Sequence, residues 1–305
     1  MPNANDIRWL KGQFSTQISA AVANTPFSLD LVVAIACQET GFIWGPLQRQ
    51  GVPTARILKL CVGDTIDGKP NGKGRKPFPR SRAELEGHAN GTAMFAVARQ
   101  ALIDMAAVVP GYTSVAQNPN KFCHAFGIFQ YDLQFFDLDV PYFSQGGYAE
   151  FPRSLKKCVT ELIAAQKRTL LKGKTVLTDR EQVSVGIAYN RGSYNPNLGL
   201  KQGHFDGEHY YGENLMSYLN LAKTVPTPPA ASTAISLRIM TDGGTLNLRQ
   251  TPDKSSDANI LARLPDDHPV KALSATAIAG FREIDSVFQG RALHGFVWNA
   301  NLEPA

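Results

Sequence analysis

Apolar residues fall on Ile7, Leu10, Phe14, Ile18, Ala21 and Val22, a helical period that predicts an opening amphipathic helix over residues 7–23. The next stretch, LVVAIACQETG at residues 31–41, is almost unbroken in apolar residues until its far end, where it carries one carboxylate, Glu39. Pro26, Ser28 and Asp30 precede it as helix-entry residues, and Gly41 follows as a helix stop. The stretch reads as a buried helix with an acid at its C-terminal end, against an aromatic wall of Phe42 and Trp44. Over residues 45–82 the period dissolves into GPLQRQGVP, a short apolar patch ILKLCVGDTID, and the run KPNGKGRKPFPRSR. These predict a long exposed insertion with a short hairpin or turn. Ser81 and Glu84, in S-R-A-E, form a capping box that opens the following helix.

Residues 92–108 predict a helix that Pro110 and Gly111 end. The stretch NKFCHAFGIFQYDLQFF, residues 120–136, has an apolar, glycine-containing centre followed by Gln130, Tyr131 and Asp132. An amphipathic helix over 154–171 comes next, then one over 179–190 with an acidic first turn that ends in AYNRG. Leu215, Leu219 and Leu221 in HYYGENLMSYLNLAK mark a last helix. At Val225 the composition changes to TVPTPPAAST, an extended linker. Beyond it the helical period gives way to ISLRIMT, LNLRQ, ILARLP, PVKALSAT, FREID and HGFVWNANL, separated by turn residues. The expected organisation is a mainly α domain over 1–224, a Pro/Thr/Ala linker over 225–234 and a small all-β barrel over 235–305.

With 305 residues and 43% hydrophobic content the chain is long enough for two domains with real cores. The net charge of +5 is mild and thinly spread outside residues 69–82, which argues against a nucleic-acid partner. No stretch reaches the length of a membrane span, and the N-terminus lacks the pattern of a signal peptide. Cys37, Cys61, Cys123 and Cys158 have no CxxC spacing and read as buried thiols, with one disulfide open. Cys123 and His124 with Cys61 and His88 match no zinc-ligand spacing, so neither a metal nor a cofactor is expected.

An acid at the end of a buried helix is partly desolvated, which raises its pKa and suits it to protonate a leaving-group oxygen. Taken alone, Glu39 is better read as an ordinary helix-terminal residue in solvent; two further stretches alter that balance. The order AIACQETG, then FGIFQYD, then AYNRG resembles the catalytic domain of lysozyme-like lytic transglycosylases and goose-type lysozymes, over about residues 25–222. The insertion at 45–90 is longer than that family's simple pattern. The C-terminal segment resembles a bacterial SH3-like domain through LNLRQTPDKSSDANILARL and HGFVWNANLEP, with Phe-Val-Trp where such domains close on Gly-Trp-Val.

The resemblance implies a lysozyme-like catalytic domain plus an SH3-like barrel, with Glu39 as general acid and then base. It implies that Gln130 and Tyr131 contact the sugar or its acetamido group and that Tyr189 and Asn190 shape the site. Tyr210 or Tyr211 is the aromatic near the acid. The implied activity is a peptidoglycan-degrading muramidase of lytic transglycosylase type, a phage endolysin or antibacterial effector. It would be made in the cytoplasm without a signal peptide and act on the bacterial cell wall after release or delivery. Its partners would be glycan strands and wall peptides, with an immunity protein open, and the chain would be a monomer.

Apart from Asp132, read as a capping or solvent-facing residue, the three motifs hold no second acid, so the substrate's own acetamido and 6-hydroxyl groups would complete the reaction as a 1,6-anhydro sugar. The alternatives are an inverting hydrolase of peptidoglycan or chitin and a non-catalytic wall-binding protein. Inversion needs a second carboxylate across a water-sized gap, for which Asp64 and Asp67 in VGDTIDG are candidates, although Asp before Gly commonly serves a turn. Glu161 reads as a surface charge, Asp132 as a capping or solvent-facing residue, and Trp298 as core of the barrel.

Overall fold

Asn3 accepts from the amides of Asn5 and Asp6 while Asp6 reaches back to the Asn3 amide at 2.8 Å, a capping box that starts helix α1 (Ala4–Val22). The computed structural model describes residues 1–66, 76–227, 235–273, 277 and 279–305, with the backbone alone for Asp64 and Ile66. Asp67, residues 69–75 of the basic run and linker residues 228–234 lie outside these. The chain divides into two units, Met1–Thr227 and Pro228–Ala305.

The first unit is built on α2 (Leu29–Arg49), which packs against α1, α3 (Thr54–Leu60), α9 (Asp179–Arg191) and α10 (Tyr211–Thr224). Every residue from Leu31 through Cys37 is buried. The expected stop at Gly41 is wrong, for the helix runs eight residues further and through Pro46. Gly41 meets a different need: a Cβ there would lie 2.2 Å from Pro2 Cγ, so the glycine permits close approach of the N-terminal segment. Glu39 therefore sits within α2, not at its end. The expected aromatic wall is also corrected. Trp44 is fully buried and stacks on Trp9 with ring centroids 5.8 Å apart, while Phe42 is 45% exposed and stacks on Tyr112.

The insertion is more ordered than its sequence suggests. It contains α3 and strand β1 (Val62–Ile66), then α4 (Arg82–Glu86). Only half of the predicted capping box forms: Ser81 accepts from the Glu84 amide, but Glu84 turns back to Arg80. After α5 (Gly91–Ala106) and the short α6 (Thr113–Ala116), the stretch 120–136 forms β2 (Phe122–Phe126) and β3 (Tyr131–Asp132). β1, β2 and β3 make an antiparallel sheet in that order, with Val62 opposite Phe126 and Phe126 opposite Tyr131. Four of the five β2 residues are buried, so the strand carries no polar–apolar alternation to announce it. The short α7 (Val140–Ser144) leads to α8 (Phe151–Lys167), which stops four residues before the expected end. A Thr178–Glu181 capping box starts α9.

One buried cation ties the bundle together. Lys11 is 1% exposed; its ammonium donates to the carbonyls of Ala222 and Val225 at 2.8 and 2.7 Å and pairs with Asp30 at 2.7 Å. It thereby caps the carbonyl end of α10 and meets the start of α2.

The second unit is one antiparallel seven-stranded sheet in the order β10-β4-β7-β8-β9-β5-β6. Its strands are β4 (Ile235–Ile239), β5 (Thr245–Arg249), β6 (Ile260–Pro265), β7 (Pro269–Ala272), β8 (Phe281–Phe288), β9 (Arg291–Trp298) and β10 (Leu302–Pro304). Leu248, Leu264, Ile284 and Val297 are fully buried in its core, against which Trp298 packs half-buried. Lys254 lies over the Trp298 ring at 4.4 Å. Among the described residues no helix is long and apolar enough to cross a membrane, and all four cysteines are buried.

Candidate active site

Gln38 and Glu39 interrupt the buried run of α2: both are partly exposed, whereas Cys37 before them and Thr40 after them are buried. Tyr211, at the first turn of α10 and 3% exposed, donates its hydroxyl to Glu39 Oε1 at 2.8 Å. Burial, and then the neighbouring charge of Glu39, hold the Tyr211 phenol well above its ordinary pKa, so it remains a donor.

Two hydroxyls fix the opposite side of the site. Thr40 Oγ1 donates to the Ile128 carbonyl at 2.8 Å, and Tyr189 Oη donates to the Phe129 carbonyl at 2.5 Å. The turn between β2 and β3 is thus bolted to both α2 and α9, the helices that carry the first and third motifs. Gln130 closes this turn with φ +55°, and its Nε2 donates to the Gly127 carbonyl at 2.9 Å. Its Oε1 lies 2.7 Å from where a Cβ on Gly63 would stand, so the glycine in β1 makes room for the amide.

A cleft of about 570 Å³ opens over these groups, and Glu39, Gln130, Tyr131, Tyr189 and Asn190 all line it. Five residues drawn from three separated motifs therefore share one concavity. The remaining expected residues divide differently. Of the two tyrosines expected as the aromatic near the acid, Tyr211 is the one that meets Glu39, buried and donating to it. Tyr210 stands before α10 with its ring 4.9 Å from Phe205, and it does not line the cleft. Of the two candidate second acids, Asp64 lies in β1 with no described side chain and Asp67 is outside the described residues.

Two other acids line the cleft. Glu161 of α8, read from sequence as a surface charge, pairs with Arg168 at 2.6 Å. Arg168 Nε also donates to the Gly192 carbonyl at 3.0 Å, which joins α8 to the end of α9. A signal for Glu161 exists in the helical projection, since Cys158, Leu162 and Ala165 beside it are all buried and put it at the edge of the apolar stripe. Asp132 accepts from the Gln134 amide at 2.7 Å and meets His124 Nδ1 at 3.2 Å, which is the expected capping role.

The electrostatics keep the phenols neutral. Burial, then the charges of Glu161, Asp139 and Asp132, push Tyr131 up to about 12. Tyr189 is raised by burial and then by Cys158 and Glu39. Burial, and then Glu39, also raise the Cys158 thiol, so it is no nucleophile near neutral pH. Among the described residues no group of three His, Cys, Asp or Glu side chains could hold a metal ion. The arrangement therefore offers one acid steered by a neutral hydroxyl, facing phenols and amides that can hydrogen-bond a polar substrate.

Compared with protein-family models, curated proteins and solved structures, the chain matches none of them.

Proposed function

We propose that the first unit is a lysozyme-like domain that cleaves the β-1,4 bond between N-acetylmuramic acid and N-acetylglucosamine in peptidoglycan, as a lytic transglycosylase. The observation that carries this reading is Glu39 in the wall of the 570 Å³ cleft, held by Tyr211 and sharing that cleft with residues of the other two motifs. Glu39 protonates the glycosidic oxygen as the bond to C1 breaks, and the 2-acetamido oxygen stabilises the positive charge that develops there. The muramic 6-hydroxyl then attacks C1 and gives its proton to the Glu39 carboxylate, which leaves a 1,6-anhydro end and restores the acid. Tyr131, Gln130 and Asn190 hold the sugars, and Tyr189 positions the turn that carries Gln130. The second unit is an SH3-like domain that holds wall peptides. The whole acts on the bacterial wall as a phage endolysin or delivered antibacterial effector.

Clearance of purified sacculi by the wild type and by Glu39→Gln tests this assignment. Equal clearance by both would remove the assignment of Glu39 as the acid, and clearance by neither would leave only a wall-binding protein. Hydrolysis with inversion is a second reading because Glu161 and Asp132 line the same cleft and either carboxylate would serve to activate water. Mass analysis of the products separates the two, since anhydro ends support the first and reducing ends the second.

A further inference from the structure

The cleft does not end at Tyr131. Tyr131, Phe135 and Glu161 line both it and a second chamber of about 520 Å³, so the two adjoin along one groove. The character changes across that boundary. Arg153, Lys156 and Lys157 of α8 all line the second chamber. Asp139 faces two of them, at 2.9 Å from Lys157 and 3.5 Å from Arg153. The other carboxylate there, Glu161, is already engaged by Arg168. Glu150, 3.7 Å from Arg153, is mostly exposed and lies outside the chamber lining. Lys156 is exposed and has no partner among the described residues. Lys157 is drawn inward over the Tyr131 ring at 4.9 Å, which sets its charge at the junction with the catalytic cleft.

Three cations line this chamber with two carboxylates, Asp139 shared between two of the cations and Glu161 engaged by Arg168, and its position next to the cleft suits an anion attached to the bound glycan. We propose that this chamber receives the carboxylate-bearing peptide carried by peptidoglycan strands, so that the groove selects a peptide-substituted glycan over a neutral one such as chitin. The proposal rests on the glycan-cleaving reading of the cleft and deepens it.

The test compares kcat/KM of the full chain on peptidoglycan strands with intact peptides and on the same strands after their peptide carboxyls have been converted to amides. Wild type is expected to prefer the strands with free carboxylates by about tenfold, the factor that one charge-assisted contact supplies. The preference falls as salt is raised. In Lys156→Glu, whose side chain is exposed and outside the packing, the ratio collapses toward one; Arg153→Gln repeats the result from a second position. A wild-type ratio near one would overturn the proposal. So would a preference that survives in Lys156→Glu, because it would come from the second unit. Titration of the non-cleaving Glu39→Gln chain with the same two strands keeps the two readings apart. Lys156-dependent preference in binding without any cleavage by wild type defeats the enzymatic reading alone, and cleavage without preference defeats this inference alone.

Discussion

Asp6 and Glu39 are both carboxylates set against α2, and their settings differ in kind. Asp6 is fully buried and takes Arg49 at 2.5 Å, Gln48 at 2.6 Å and the Asn3 amide at 2.8 Å. Glu39 borders a cleft and takes a phenol at 2.8 Å. A guanidinium partner compensates the charge of a buried carboxylate, and losing either partner is costly. A neutral hydroxyl steers an acid in either protonation state. The helix α2 thus meets a structural acid of α1 near its C-terminal end and carries in its middle the acid proposed for proton transfer.

The comparison breaks most easily at Glu39. Glu39→Gln is expected to slow sacculus clearance by about 10³-fold, within the range for loss of a general acid. Its melting transition should stay within about 0.5 kcal/mol of wild type, as read by denaturant titration. Asp6→Ala should do the opposite: about 3 kcal/mol of stability lost, because Arg49 and Gln48 lose a buried partner, with activity per folded molecule retained. Tyr211→Phe keeps the ring and deletes the donor, so cleavage should fall by about tenfold, the worth of one hydrogen bond to a charged group, with little change in stability. Circular dichroism beside the clearance assay separates these three outcomes.

The smallest effect sharpens the contrast from a third carboxylate. Asp206 accepts from the amides of His209 and Glu208 and from Asn214, which lower its pKa to about 2. A depressed folded pKa adds stability above the unfolded value of about 3.9, and that stability is lost as pH falls through the folded value. Asp206→Asn should therefore lower Tm slightly at pH 7 and match wild type near pH 2.

Much of the site was legible because each motif is local. Glu39, Gln130, Tyr131, Tyr189 and Asn190 come from three short stretches and meet in one cleft. What a side chain does there was less legible. The Gln130 amide nitrogen serves its own turn, and Tyr189 spends its hydroxyl on a carbonyl, because tertiary packing decides which polar groups need partners. Gly41 was misread as a helix stop because a glycine demanded by close packing looks the same in sequence as one demanded by a turn. Glu161 was missed because its importance depends on Arg168 and on α9, which no spacing within α8 can supply.

Lys11 has a mechanical consequence. The chain leaves the first unit at Val225, whose carbonyl the ammonium holds together with that of Ala222. Tension arriving from a tethered C-terminus is borne at this clasp before it reaches Tyr211, which lies at the far end of α10. Pulling single molecules from the C-terminus should find Lys11→Met giving way at lower force. With the clasp intact, Tyr211 keeps its hold on Glu39 while the tail is under load.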